Sequence, residues 1–129
     1  MTLAVHAVTI DCRNAADLAG FWSRALDRPV DTQPPGASEF FASIGRDETP
    51  GSDSATGPVM MFIQVPEDRT VKNRVHLDLG ASDRAVEVER LVGLGATVLH
   101  DKDEWGTRWT TLADPEGNEF CVAQSHAEH

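Results

Sequence analysis

Val75-His76-Leu77-Asp78-Leu79 alternates strictly between apolar and polar residues. A strand sends successive side chains to opposite faces, so Val75, Leu77 and Leu79 share one face and His76 and Asp78 the other. Thr9-Ile10-Asp11-Cys12 has the same form near the N-terminus, and each copy leads through a polar turn into an amphipathic segment. The copies lie about half the chain apart. Aligning the strands or aligning the helix starts gives registers that differ by an even number, so both agree on which face each residue takes. In the first half, Leu18, Phe21, Trp22 and Leu26 recur at spacings of three and four and predict a helix over 15–26, capped by Asn14. In the second half, Ala85, Val88, Leu91 and Val92 predict a helix over 83–94, capped by Ser82 or Asp83 and ended by Gly93 to Gly95.

The remaining apolar runs read as strands. They fall at 3–12, 29–31, 39–44 and 59–65 in the first half, and at 76–79, 97–100, 109–113 and 120–123 in the second. Asp114-Pro115-Glu116-Gly117-Asn118 has the chemistry of a tight turn. Residues 45–58 are rich in Gly, Pro, Ser and Thr and predict a hairpin tip or a lid. Residues 66–72 form a polar link. The pattern is strand, helix, three strands, twice over: an α+β chain of two tandem βαβββ modules, 3–66 and 73–125, in one domain spanning 1–129. If each sheet buries its apolar face under its helix, the polar faces are left to enclose a cavity.

Composition narrows the partners. The chain has 129 residues, 40% of them hydrophobic and 25% charged, which suits a globular domain with a real core. A net charge of −10 repels phosphate backbones and anionic lipid, so neither nucleic acid nor a membrane is expected as a partner. No apolar run reaches the roughly 20 residues that span a bilayer. The start, Met-Thr-Leu-Ala-Val-His-Ala-Val, is too short an apolar run for an export signal. Two cysteines, Cys12 and Cys121, make no disulfide framework, so a cytoplasmic protein with reduced thiols is expected.

On face logic, His76 and Asp78 line the cavity together with Thr9 and Asp11 of the matching strand. His76 reads as a neutral histidine satisfied by Asp78, Asp11 or a carbonyl, as a ligand contact, or as a metal ligand. Asp11 and Asp78 are expected to be partly buried, and a buried carboxylate needs a partner: Arg74, Lys72 or Arg108, or else water, a cation or a ligand. Trp22 and Trp109 are assigned to the core. Trp105, in a polar loop, is placed at the cavity rim or in a subunit contact. Cys121 is expected to be an inert small hydrophobe. The five histidines form no His-Glu-x-x-His motif, and there is no P-loop, dinucleotide fingerprint or nucleophile elbow.

Four blocks carry a resemblance: Thr9 to Cys12 with Phe21-Trp22, Lys72 to Leu79, Leu91 to Ala96, and Trp109 with Asp114 to Val122. Together they resemble the glyoxalase-like domains of the vicinal oxygen chelate superfamily, which includes glyoxalase I, the bleomycin- and fosfomycin-resistance proteins and the extradiol dioxygenases. The resemblance implies a cup-shaped, half-open mixed sheet and a homodimer. It also implies metal ligands from the first and last strands of each module. Those places hold Ala7 or Thr9, Ile63 or Gln64, His76 and Cys121, and only His76 is a usual ligand. The customary last-strand glutamate falls at Cys121, with Glu119 two residues earlier on the same face. With this donor set, no metal and no other cofactor is expected. The reading is a glyoxalase-like protein that binds a small organic molecule in its cup, either sequestering it or acting on it through His76 and the Asp pair. The alternative is a metal-dependent lyase, isomerase or dioxygenase. The ligand-binding residues implied are Thr9, Asp11, Gln64, His76, Asp78, Trp105, Glu119 and Cys121.

Overall fold

A computed structural model of the chain describes residues 3–48, 57–104 and 107–124. Trp105 and the centre of the 45–58 stretch lie outside them. The chain divides into two compact units, Met1–Asp68 and Arg69–His129, each with its own helix and sheet. The secondary structure is α+β, with two helices and two mixed sheets. No helix among the described residues is long and apolar enough to cross a membrane.

The first unit runs β1 (Ala7–Cys12), α1 (Ala15–Leu26), β2 (Phe41–Ile44) and β3 (Val59–Gln64). Its sheet order is β1-β3-β2, with β1 parallel and β2 antiparallel to β3. α1 starts where Asn14 Oδ1 accepts the Asp17 N–H at 3.1 Å, satisfying a donor that the first turn would otherwise orphan. It ends at Asp27, whose φ of 54° turns the chain out of the helix. Leu18, Phe21 and Trp22 are buried on its inner stripe, and Ala42, Ile44, Met60 and Phe62 are buried on the sheet. Phe21 and Trp22 meet edge to face at 5.3 Å.

The strand expected at 29–31 is a single bridge, Val30 to Ile44. Its continuation is lost to Asp31, which is buried and holds the following loop instead. Its carboxylate accepts the Ser43 hydroxyl at 2.7 Å and the N–H groups of Arg46 and Asp47 at 2.8 Å each. A buried carboxylate satisfied by three donors fixes the chain in a turn and leaves no room for a ladder. The buried Arg28 beside it grips Glu48 with two parallel bonds, at 3.1 and 3.0 Å, and the Pro58 carbonyl at 3.0 Å. Gly45 passes so close that a Cβ there would come within 2.6 Å of the Arg28 Nη2.

The second unit runs β4 (Leu77–Ala81), α2 (Arg84–Leu94), β5 (Thr97–Glu104), β6 (Thr107–Ala113) and β7 (Glu119–Gln124). The sheet order is β4-β7-β6-β5, with β4 parallel to β7 and the other pairs antiparallel. Of the two candidate caps, Asp83 is the one used, accepting the Val86 N–H at 3.2 Å. The apolar stripe of α2 is narrower than its sequence suggests. Leu91 is buried, whereas Val92 is 45% exposed and Ala85 is exposed. The buried place near the helix start goes to Arg84, whose guanidinium donates to the Thr110 hydroxyl at 2.5 Å and lies 3.6 Å from Asp101. Beneath the helix, Leu112, Phe120 and Val122 are fully buried.

β5 and β6 extend beyond the expected 97–100 and 109–113, and β5 carries an irregularity. Val98 pairs with Leu112, but His100 pairs with Thr111, leaving Leu99 as the extra residue of a bulge. Without the bulge, Val98 and His100 would share the face of the buried Leu112. The extra residue turns His100 and Lys102 to the opposite face.

Candidate binding site

That opposite face of the second sheet is where the polar residues converge. The register lays them out in rows. Asp78 pairs with Cys121, Cys121 with Thr111, and Thr111 with His100, a continuous line across all four strands. The next line reads Gly80, Ala123, Trp109, Lys102. His76 stands just before β4, and Glu119 opens β7 beside it. All of these residues except Gly80, together with Lys72, line an open cavity of about 490 Å³.

Its charges are arranged in pairs on one side. His76 Nε2 lies 3.4 Å from Asp78 Oδ1, and Lys72 Nζ lies 3.5 Å from Glu119 Oε1. Asn73 Oδ1 accepts the Glu119 N–H at 3.0 Å, which ties the segment before β4 to the start of β7. Cys121 is buried, with its Sγ 3.3 Å from the Thr111 hydroxyl. Burial pushes the Cys121 thiol up from its ordinary value. The Thr111 hydroxyl opposes this by favouring the thiolate, and the Asp78 carboxylate adds to the rise. At neutral pH the group is a protonated thiol with no nucleophilic character.

Four of the expected site residues, His76, Asp78, Glu119 and Cys121, are thus brought together. Thr9 and Asp11 lie in the first unit, both exposed on β1. Gln64, at the end of β3, donates its amide to the Arg13 carbonyl at 2.9 Å and borders a separate small cavity of that unit with Arg13, Val65 and Pro66. The expected partial burial of Asp11 and Asp78 is corrected. Both are exposed, Asp78 by 73%, because each side chain leaves its strand on the uncovered face. Trp109, assigned to the core from its sequence, is half-buried and lines the cavity. His100, Lys102 and Thr111 were not anticipated there at all. The alternation of His100 with Lys102, and of Trp109 with Thr111, carries the signal, but the face it points to depends on the bulge at Leu99.

Three donors, an imidazole nitrogen of His76, a carboxylate oxygen of Asp78 and the Cys121 sulfur, lie within 4.8 Å of one another. In kind they suit a borderline divalent ion such as Zn²⁺. A tetrahedral ion with bonds of about 2.0–2.3 Å needs donors roughly 3.5 Å apart, so the cluster would have to contract, and the raised thiol would have to give up its proton.

Two α+β modules, with an open cavity on the uncovered face of the second sheet, agree with the vicinal oxygen chelate class to which the matching family model assigns the chain. Within that class the chain belongs to the glyoxalase-like domain family, whose model matches residues 7–123. No curated protein matches it. Solved structures do. A glyoxalase/bleomycin resistance protein/dioxygenase family enzyme from Burkholderia phytofirmans is similar with a TM-score of 0.70 at 15% identity, covering 95% of this chain and 98% of its own. A superfamily member from Sphaerobacter thermophilus is similar with a TM-score of 0.65 at 19% identity, covering 96% and 98%. The fosfomycin resistance protein FosX from Listeria monocytogenes, in a complex of one of its variants with Mn(II) and a dihydroxypropylphosphonic acid, is similar with a TM-score of 0.71 at 9% identity, covering 98% and 93%. At these identities the likeness is one of fold.

Proposed function

We propose that the chain binds a small organic molecule on the open face of the second sheet, and that binding needs no obligatory metal. The observation that carries this reading is the cavity of about 490 Å³, in which side chains of four strands converge on a half-buried tryptophan. A concave site with an aromatic wall and a few placed polar groups is the common form of a small-molecule site. Family membership supports it. The test is a ligand-observed NMR screen with acidic, basic and neutral aromatic fragments. Binders are expected, and Trp109→Ala should abolish their signals while the variant still unfolds cooperatively. A screen that finds no fragment bound in a way that depends on Trp109 overturns the reading.

The second reading, a metal-dependent enzyme, is favoured by one observation, the His76, Asp78 and Cys121 cluster. One equivalent of Zn, Fe, Ni or Mn in protein purified without chelator, lost in His76→Ala, would establish it over the first. The proposed assembly is a homodimer, which light scattering should report as twice the 14.0 kDa chain mass.

A further inference from the structure

The cavity is not evenly charged. On the β4 and β7 side, each carboxylate already has a base beside it: Asp78 has His76 at 3.4 Å and Glu119 has Lys72 at 3.5 Å. On the β5 side, Lys102 and His100 line the wall, and no ion pair involves either among the described residues. Their strand neighbour Asp101 is turned to the other face, where it accepts from Thr110 and pairs with Arg84. Between the two sides lies the line Gly80, Ala123, Trp109, Lys102. Ala123, the direct neighbour of Trp109 on β7, is small and leaves open surface beside the indole for a flat ring. Lys102 is the direct cross-strand neighbour of Trp109, so its ammonium is rooted one strand spacing, about 5 Å, from the indole's own strand.

We infer that the ligand is a planar aromatic monoacid, its ring against Trp109 over Ala123 and its carboxylate held by Lys102 and His100. This rests on the proposed ligand-binding role and adds the ligand's chemical class. The polar pair suits a carboxylate better than a phosphate. Among the described residues no arginine lines the cavity, so the β5 wall offers the point charge of Lys102 beside the imidazole of His100 rather than a guanidinium fork. The aromatic part follows from the wall: stacking on a tryptophan rewards a π-face, and the small side chain of Ala123 leaves space for one.

The test uses three probes of matched size and one non-aromatic acid: 1-naphthoate, 1-naphthamide, 1-naphthylmethylammonium and cyclohexanecarboxylate, titrated calorimetrically into the full chain. Naphthoate is expected to bind about tenfold or more tightly than the amide, the size of one charge-assisted hydrogen bond. It is expected to outbind the ammonium and the cyclohexane acid as well. Lys102→Met, an exposed position that keeps the aliphatic stem, should erase the preference of acid over amide. Trp109→Leu should weaken acid and amide together. Equal binding of acid and amide, tighter binding of the ammonium, or an acid preference that survives Lys102→Met overturns the ligand class and leaves the binding role standing. If none of the probes binds and the fragment screen is also empty, both fall.

Discussion

Arg28 and Cys121 show how differently two buried polar side chains can act. Arg28 is 6% exposed, and its partner Glu48 only 12%. Removing one member of such a pair takes the opposite charge away from a buried partner, which costs more than the pair contributes as a whole. Arg28→Met is therefore expected to lower the unfolding free energy by about 3 kcal/mol, read from urea denaturation. Glu48→Gln, which keeps a hydrogen-bonding partner for the guanidinium, should cost about 1 kcal/mol. Cys121 acts through its proton. Its thiol is raised in the folded chain above its unfolded value of 9.0, so the folded state holds the proton more tightly. The stability this gives is complete below that value and is lost as pH rises through it and toward the folded value. Wild type should lose stability relative to Cys121→Ala as pH rises past 9.0 and not below it; parallel curves through that rise would refute the assignment. In the sequence, the shared face of His76 and Asp78 could be read from period two alone. Their exposure could not, because it depends on what covers the face.

Among the elements, helices were the most legible and strand irregularities the least. Asn14 and Asp83 announce their helices by short polar side chains that can reach the first free N–H groups, and both do so. The narrow stripe of α2 was hidden because spacing shows which residues could face inward, not which ones the sheet reaches. The bulge in β5 was hidden for a related reason: one extra residue leaves the local pattern unchanged and alters only the pairing. It has a testable signature. Deleting a residue from a regular strand flips everything beyond it. Deleting Leu99 should instead join Val98 to His100 in plain register, keeping His100 against Thr111 and Lys102 against Trp109. That variant is expected to retain one cooperative urea transition. Deleting Asp101 should destabilise the chain more, since it removes the partner of Thr110 and Arg84 and draws His100 toward the buried face.

For the molecule as a whole, the repeat was the decisive clue. A strand and a helix recurring after half the chain foretold an α+β architecture with one helix and one sheet in each half, as the units show. The net charge of −10 said nothing of the site, where paired carboxylates stand opposite a lysine. Legibility failed at the second expected strand of the first unit, residues 29–31, where Asp31 preferred a loop to a ladder. That same loop holds a practical consequence. Arg28 fastens Glu48 on one side and Pro58 on the other, like a buckle across the stretch between them. With both ends moored to one guanidinium, the length of the intervening chain is thermodynamically cheap: doubling it adds only about 0.6 kcal/mol of closure entropy. A Gly-Ser insert that doubles the chain between the two anchors should lower the unfolding free energy by only about 0.6 kcal/mol in urea denaturation, and the same insert placed between Asp31 and Thr32, outside the buckle, should lower it more.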